Sequence, residues 1–376
     1  MTAARGPLPR RIVVAGHGIA GLTAAGALRE AGFDGELTLV GDEPHAPYSR
    51  PALSKALLGG ADPGAHTLPP GEHGARELRG VRVTALDPVR RRVALDDGAS
   101  LPYDALVLAT GARARRLSPG GGEWTLRGLD DALALRRALA ARPSVLVVGG
   151  GVLGMEIASG ALAAGCAVTL VSYGPPLRAR LGPHLAGVLV RAARAWGLRL
   201  VETAARARLD AGRVRLADGT AHAADLVVSA VGDVPHTEWL AGTGLTADDG
   251  SVPVDAHGLA RPGIAAVGDL AALPAPGGHR RVPLWNSAVD QALTAAHALL
   301  HGLSAPPLAR PYFWTEQFGR GLKVAGPLPP AGEPEYVAGG PGGGPALLRW
   351  PRSGTAAALD HRLAVPRLRR LAAGGA

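Results

Sequence analysis

Residues 11–42 read RIVVAGHGIAGLTAAGALREAGFDGELTLVGD, and this stretch decides the fold. The apolar run Arg11–Ala15 predicts a buried strand, residues 22–31 predict a helix, and residues 36–40 predict a second strand. Between the first strand and the helix lies a G-x-G-x-x-G turn. Strand, glycine turn, helix and strand in this order form a βαβ unit, whose helix N-terminus holds the diphosphate of a dinucleotide.

The same pattern returns at residues 144–172, which read SVLVVGGGVLGMEIASGALAAGCAVTLVS. Here residues 144–148 and 167–171 predict strands, and residues 155–164 predict the helix between them. In each turn the first glycine permits tight turning, the second admits the diphosphate, and the third lets helix pack on strand. The repetition predicts two dinucleotide-binding folds in one chain.

Composition limits the class of protein. The chain has 376 residues, of which 47% are hydrophobic and 19% charged, so it can bury several cores. Without a run of 18 apolar residues we expect no membrane span. The N-terminus, MTAARGPLPRR, has no apolar segment of the signal-peptide kind, and we expect a cytoplasmic protein. Cys166 is the single cysteine, which excludes an intramolecular disulfide and a Cys-ligated zinc site.

The net charge of +9 rests almost wholly on arginine, because Lys55 and Lys323 are the two lysines among 40 basic residues. A basic balance favours an acidic partner. The arginines are scattered and form no basic helix, so we expect no nucleic-acid binding. The histidines are dispersed as well, and we predict no metal site.

Eight segments resemble, in the same order, the FAD-dependent pyridine nucleotide oxidoreductases, specifically the ferredoxin/rubredoxin reductase branch that serves cytochromes P450 and Rieske oxygenases. The segments are VVAGHGIAGLTAA, LVGDEPHAPYSRPALSK, LVLATGAR, TLRGLDDALALRRAL, VLVVGGGVLGMEIA, GDVPHTEWL, IAAVGDLA and PYFWTEQFGRGLKVAG. The resemblance implies an α/β fold with two Rossmann-like dinucleotide-binding domains, for FAD and NAD(P), and a small α+β C-terminal domain.

The resemblance also implies domain boundaries. The FAD-binding domain is discontinuous and takes residues 1–115 and 243–320, the NAD(P)-binding domain takes 116–242, and a short C-terminal domain takes 321–376. From residue 327 the proline- and glycine-rich sequence predicts loops, followed by a strand at LLRW and a helix over residues 366–373.

Residue by residue, the resemblance assigns an FAD site. The first glycine turn holds the diphosphate, Asp42 or Glu43 accepts from the adenosine ribose, and Asp269 binds the ribityl chain. The full set of positions assigned to FAD is Gly16, Gly18, Ala20, Gly21, Asp42, Glu43, Arg50, Lys55, Val83, Thr110, Gly111, Arg127, Gly268, Asp269, Trp285 and Trp314.

Lys55 is the most informative single residue, because a chain that uses arginine 38 times keeps a lysine in SRPALSK. The family places this lysine beside the flavin ring, paired with a glutamate after the second fingerprint, which is Glu156 here. We therefore assign Lys55 and Glu156 as the catalytic pair. The aromatic cluster of residues 312–318 implies a cover for the flavin, with Trp314 at its edge.

The NAD(P) site is assigned to Gly149, Gly151, Gly154, Ser172 and Arg178. Ser172 stands where an NADH-specific enzyme ends its second strand with a carboxylate. Without that carboxylate NADPH is not repelled, and Arg178 or Arg180 can reach a 2′-phosphate. The choice between NADH and NADPH stays open at this point. His17 is a further departure, since it replaces a small residue in the first turn.

The absence of a cysteine pair excludes a thiol relay, so electrons must leave reduced flavin directly. We predict an NAD(P)H-dependent FAD reductase, a monomer or homodimer, that passes electrons to an acidic ferredoxin-like iron–sulfur protein serving a cytochrome P450 or similar oxygenase. The alternative within enzymes is a flavoenzyme that acts on a small molecule or oxygen without ferredoxin. The alternative from another class is a flavin-bound interaction protein with little turnover.

Overall fold

The computed structural model describes residues 9–118, 120, 122–210, 212–302 and 311–375. The N-terminal segment on which the absence of a signal peptide was predicted lies mostly outside these ranges. None of the helices in the described ranges is long and apolar enough to cross a bilayer.

Strands and helices are numbered in chain order. The strands are β1 (Arg11–Ala15), β2 (Glu36–Gly41), β3 (Arg76–Arg79), β4 (Val83–Asp87), β5 (Arg92–Leu95), β6 (Ser100–Pro102), β7 (Ala105–Leu108), β8 (Ala112–Ala114), β9 (Ser144–Val148), β10 (Ala167–Tyr173), β11 (Arg199–Thr203), β12 (Arg208–Asp210), β13 (Arg213–Arg215), β14 (Ala221–His222), β15 (Leu226–Ser229), β16 (Asp233–Pro235), β17 (Val252–Pro253), β18 (Leu259–Arg261), β19 (Ile264–Ala266), β20 (Ala271–Ala275), β21 (Gly278–Arg281), β22 (Tyr312–Gln317), β23 (Arg320–Ala325), β24 (Glu335–Ala338), β25 (Ala346–Trp350) and β26 (Thr355–Leu359). The helices are α1 (Ile19–Glu30), α2 (Leu129–Leu139), α3 (Val152–Ala163), α4 (Arg178–Ala195), α5 (Trp285–His301) and α6 (Val365–Ala372).

The chain forms two compact units. The first contains Met1–Ser49, Thr67–Arg113 and Val234–Ala309, and the second contains Arg50–His66, Ala114–Asp233 and Arg310–Ala376. This is a division by compactness, and the predicted assignment of three ligand-defined domains stays a prediction.

The first unit is built on a six-stranded sheet in the order β18-β19-β7-β1-β2-β3. Every neighbouring pair is parallel except β18 and β19, which are antiparallel. Helices α1 and α5 contribute small side chains to one core, including Ala24, Ala25, Ala292 and Ala295, which are fully buried. Because alanine has little bulk, the two helices can pack closely.

The second unit contains a four-stranded parallel sheet in the order β11-β10-β9-β15 and a five-stranded antiparallel sheet in the order β22-β23-β26-β25-β24. Helix α6 packs on the antiparallel sheet through Leu368 and Ala372. Helix α4 is kinked at Gly182, whose φ is 70°, directly before Pro183. The predicted α/β class with two Rossmann-like folds is confirmed.

Two sequence predictions differ from the structure in detail. Helices α1 and α3 begin three residues earlier than predicted, because Gly18 and Gly151 themselves are the N-cap residues. The stretch from residue 327, predicted as loops, contains strand β24, which pairs with β25. Tyr336 and Ala338 are half-buried and alternate with the exposed Glu335 and Val337, a strand pattern that the surrounding proline and glycine obscure.

Candidate functional site

In the first unit, the glycine turn after β1 is closed by backbone at two positions. Gly16 has a φ of +126°, and a Cβ there would lie 2.0 Å from the carbonyl oxygen of Ala109. A Cβ on Gly21 would lie 1.9 Å from the carbonyl oxygen of Gly16. Since neither backbone oxygen can move aside cheaply, both positions require glycine.

Gly18 differs from its two neighbours, because a Cβ there would meet nothing within 4 Å. It is the N-cap of α1, and the first turn of that helix carries no acidic side chain. The helix N-terminus therefore offers backbone N–H groups beside open space, which is the arrangement that an anionic diphosphate requires. This turn fits the diphosphate of FAD.

The other predicted FAD positions of the first unit follow the carboxyl ends of parallel strands, which meet at one edge of the sheet. Asp42 follows β2, Thr110 and Gly111 follow β7, and Gly268 and Asp269 follow β19. A Cβ on Gly268 would lie 3.1 Å from the Cβ of Ala20 in the first turn of α1. Trp285 is the first residue of α5, and Val83 begins β4 and is buried.

The two acidic candidates for the ribose differ in their surroundings. Glu43 accepts a hydrogen bond of 2.6 Å from the hydroxyl of Tyr48 and is half-buried. Asp42 is exposed and has no hydrogen-bond or ion-pair partner among the residues that the structure describes. Its carboxylate is therefore available to a ligand.

His17, the departure in the first glycine turn, points toward β3. Its side chain is 6% exposed, and its Nε2 lies 3.2 Å from a carboxylate oxygen of Glu77. Arg79 contacts the same carboxylate at 2.9 Å, and Nε2 of His73 lies 3.6 Å from its second oxygen. Burial lowers the pKa of His17, while the charge of Glu77 opposes that shift. Sequence reasoning missed Glu77 as a partner of His17, because the two residues are 60 positions apart along the chain.

In the second unit, the glycine turn after β9 has the same geometry. Gly149 has a φ of +122°, and a Cβ there would lie 2.2 Å from the carbonyl oxygen of Ala230. A Cβ on Gly154 would lie 1.9 Å from the carbonyl oxygen of Gly149, whereas a Cβ on Gly151 would meet nothing within 4 Å. This turn therefore has the same geometry as the first and fits a second diphosphate.

The residue before the end of β10, Ser172, packs against the second glycine turn. Ser172 is 2% exposed, and its Oγ would lie 2.0 Å from a Cβ on Gly150. The N–H of Leu177 donates to the carbonyl oxygen of Gly150 at 2.8 Å, which fixes the following loop on the glycine turn. Arg178 comes next, begins α4, is exposed, and has no side-chain partner within the described part of the chain.

The predicted pair Lys55 and Glu156 is an ion pair within the second unit. The ammonium of Lys55 lies 2.9 Å from each carboxylate oxygen of Glu156, and the two side chains are 12% and 3% exposed. The hydroxyl of Ser54 donates to one oxygen, and the hydroxyl of Thr315 donates to the other at 2.5 Å. Sequence reasoning missed both hydroxyls, because serine and threonine are too common to stand out.

Aromatic side chains of β22 lie beside this ion pair. The Lys55 ammonium is 5.9 Å from the ring centroid of Trp314, and Tyr312 stacks on Trp314 with centroids 5.8 Å apart. Phe318 is fully buried. A cation over an aromatic face is held electrostatically as well as by packing.

The remaining predicted positions of the second unit are Arg50 and Arg127. The guanidinium of Arg50 donates to the carbonyl oxygen of Arg127 at 3.0 Å, and the backbone N–H of Arg127 donates to Asp131 at 2.8 Å.

Cys166 is buried, and burial raises the pKa of its thiol. The described residues contain no cluster of three His, Cys, Asp or Glu that would hold a metal ion.

Two glycine turns of this geometry in one chain are the arrangement expected of an oxidoreductase that handles two dinucleotides. The chain belongs to the pyridine nucleotide-disulphide oxidoreductase family, whose sequence model matches residues 10–292. The predicted family is therefore confirmed.

Three known proteins illustrate the similarity. The ferredoxin–NAD(+) reductase component of the p-cumate 2,3-dioxygenase system of Pseudomonas putida is 39% identical over 327 residues, covering 84% of this chain and 81% of the relative. The crystal structure of the covalent putidaredoxin reductase–putidaredoxin complex matches with a TM-score of 0.85 at 28% identity, covering 97% of this chain and 93% of that one. The ferredoxin reductase for the CYP199A2 system from Rhodopseudomonas palustris has a TM-score of 0.84 at 30% identity, covering 93% and 91%.

Proposed function

We propose that this chain is an FAD-dependent NAD(P)H oxidoreductase of the ferredoxin reductase type, which supplies electrons through a ferredoxin-like protein to a cytochrome P450 or a similar oxygenase. The observation that carries the proposal is the pair of glycine turns, each closed by backbone at its first and third glycines and open at its second. Bound FAD supplies a carrier that accepts two electrons as hydride and releases them singly.

The first turn, with Gly16, Gly18 and Gly21, would hold the diphosphate of FAD. Of the two acidic candidates, we assign the ribose contact to Asp42, because it is exposed and unpartnered among the described residues, whereas Glu43 already accepts from Tyr48. The further FAD positions given by the resemblance remain part of this proposal.

The second turn would bind the diphosphate of NAD(P)H, with Arg178 placed for the adenosine end. The ion pair of Lys55 and Glu156 would act in flavin reduction. The buried carboxylate of Glu156 neutralises the ammonium of Lys55, so the two form a fixed pair of charges. Because the surroundings have a low dielectric, such a pair can stabilise one distribution of charge in the reacting groups over another. Trp314 would cover the flavin.

The acceptor is proposed to be an iron–sulfur protein because the chain has no dithiol to relay electrons. Its single cysteine, Cys166, is buried and hydrogen-bonds through Sγ to a backbone carbonyl at 3.6 Å. Relatives named as ferredoxin reductases of oxygenase systems support this choice over a small-molecule acceptor.

We further propose that the ferredoxin is acidic and that the protein works in the cytoplasm, as a monomer or homodimer. The net charge of +9 supports an acidic partner through electrostatic steering. A chain with one buried thiol and no possible disulfide suits a reducing compartment.

The first test is an anaerobic absorbance titration of the FAD-loaded protein with NADH and, separately, with NADPH. We expect near-stoichiometric bleaching of the flavin bands by at least one nucleotide. Retained flavin bands with both nucleotides would refute the reductase half of the proposal.

The second test distinguishes the acceptors. In air, with NAD(P)H in excess, the protein alone should consume nucleotide slowly, and an acidic ferredoxin of the [2Fe–2S] type with cytochrome c as reporter should accelerate consumption. Rapid consumption without ferredoxin would instead support an oxidase or a small-molecule reductase.

The roles of the ion pair are tested by Lys55→Ala and Glu156→Ala. Each variant should slow flavin reduction by NAD(P)H in anaerobic stopped flow, because each removes one charge and strands its buried partner. Unchanged rates in both variants would remove Lys55 and Glu156 from the mechanism.

A further inference from the structure

The carboxylate of Glu156 accepts four short contacts although it is almost wholly buried. One oxygen takes Lys55 at 2.9 Å and Thr315 at 2.5 Å, and the other takes Lys55 at 2.9 Å and the hydroxyl of Ser54. With 3% of the side chain exposed, water cannot replace any donor that is lost.

The proton directions follow from the network. The Nε2 group of Gln317 donates to the Oγ1 of Thr315 at 2.9 Å, so that oxygen is already an acceptor. A hydroxyl has one proton, and the proton of Thr315 is therefore directed at Glu156. The backbone N–H of Phe318 also donates to the hydroxyl of Ser159 at 2.7 Å, which ties the end of β22 to α3.

The donors come from separate parts of the second unit. Ser54 and Lys55 lie in the short segment after Arg50, Glu156 lies on α3, and Thr315 lies on β22. Lys55 alone contacts both oxygens through one mobile side chain, whereas the two hydroxyls add a donor from a different element to each oxygen and so restrain the rotation of the carboxylate further. The Lys55 ammonium also donates to the carbonyl oxygen of Pro51 at 3.2 Å, so the orientation of the carboxylate acts together with this backbone contact to place the ammonium against Trp314.

We propose that Ser54 and Thr315 are positioning residues, which orient the Glu156 carboxylate and thereby fix the ammonium of Lys55. The inference rests on the proposed function only where flavin reduction is concerned. The positioning itself is a property of the ground-state structure and can be measured without turnover.

The chain offers a direct probe of this position, because Lys55 and Lys323 are its two lysines. Labelling the full-length, FAD-loaded protein with lysine enriched in ¹⁵N at Nζ gives two ammonium signals, and Lys323→Arg assigns them. A buried ammonium held by a carboxylate exchanges its protons slowly with water. We expect slow exchange for Lys55, and Lys323 serves as the internal reference.

The decisive comparison is Thr315→Val against Thr315→Ser. The valine is close in shape but lacks the donor, and we expect exchange at Lys55 to accelerate about tenfold, equivalent to about 1.4 kcal/mol. The serine keeps the hydroxyl and should restore slow exchange. Ser54→Ala should accelerate exchange as well, which covers the case in which the valine variant fails to fold.

Thr355→Val is the matched control, because Thr355 is also fully buried and donates to a backbone carbonyl at 2.9 Å in the same antiparallel sheet. It should leave exchange at Lys55 unchanged. Fast exchange of Lys55 in the wild-type protein, or unchanged exchange in both Thr315→Val and Ser54→Ala, would overturn the proposal.

Anaerobic stopped flow separates this inference from the proposed function. We expect Thr315→Val to lower the limiting rate of flavin reduction while leaving the Kd of the nucleotide unchanged, with rescue by Thr315→Ser. Faster exchange together with an unchanged limiting rate would support the positioning and contradict the proposed role of the ion pair in reduction.

Discussion

We predict that Ser172 influences which nucleotide the second glycine turn accepts. A carboxylate at the end of this strand would bind the adenosine ribose and repel a 2′-phosphate, and serine does neither. Its hydroxyl is buried against Gly150, while the nearby guanidinium of Arg178 is exposed. The wild-type protein is therefore expected to bind NADP⁺ at least as well as NAD⁺.

Replacing Ser172 by Glu should shift the ratio of the two dissociation constants toward NAD⁺ by about tenfold, the effect of one charge-assisted hydrogen bond. Equilibrium titrations of the oxidised protein with NAD⁺ and NADP⁺ measure this ratio. Arg178→Gln is the complementary variant and should weaken NADP⁺ alone. Equal effects of Arg178→Gln on both nucleotides would place the 2′-phosphate elsewhere.

We expect His17 to make the stability of the fold depend on pH. Burial holds its pKa below the ordinary 6.5, so the unfolded chain takes up a proton before the folded chain does. The free energy of unfolding is highest above the pKa that His17 has in the unfolded chain. It falls as the pH drops from that value toward the lower pKa that His17 has in the folded chain. Glu77 opposes this trend, while Arg79 and His73 reinforce it.

We expect His17→Gln to lose less thermal stability than the wild-type protein between about pH 7.5 and about pH 5.5, because glutamine stays neutral across that range. Melting curves at both pH values measure the difference. His184→Gln is the comparison variant, since burial lowers the pKa of His184 too. Parallel losses in wild type and His17→Gln would show that His17 is not responsible.

At the scale of an element, different glycines of one turn are needed for folding and for binding. Gly154→Ala places a methyl group 1.9 Å from a backbone oxygen and should cost about 1–3 kcal/mol of folding stability. Gly151→Ala meets no atom within 4 Å and has a φ of −75°, so it should fold within about 1 kcal/mol of wild type.

Gly151→Ala should nevertheless bind NAD(P)⁺ more weakly, because its methyl group occupies the space through which the diphosphate approaches. Thermal melting and a nucleotide titration measure the two effects separately. If Gly151→Ala binds both nucleotides normally, the open space beside Gly151 is not the diphosphate site.

The two βαβ units could be predicted from sequence because strand, turn and helix are local and their glycines are required by backbone geometry. Strands β1 and β9 begin and end at the predicted residues. The surroundings of Glu156 could not be predicted from sequence, since Ser54, Thr315 and Glu156 are far apart along the chain and meet through tertiary packing. Strand β24 was missed because turn-forming residues surround a run of four.

At the scale of the whole molecule, the charge of +9 predicts a salt-dependent encounter with an acidic ferredoxin. At physiological ionic strength charges are screened beyond about 8 Å, so steering weakens as salt is added. We expect the KM for ferredoxin to rise about tenfold between about 0.05 M and about 0.5 M salt. Steady-state assays measure it, with a neutral quinone as control acceptor. A KM that does not change with salt would exclude steering.

The placement of sulphur has a consequence for the lifetime of the protein. Met155 and Cys166 are both buried, and within the described ranges they are the two sulphur-bearing side chains. Proteins that carry reducing electrons in air are exposed to peroxide, which attacks accessible thiolates and thioethers first. Because these two sulphur atoms are enclosed, their oxidation should begin only after the second unit has opened around α3.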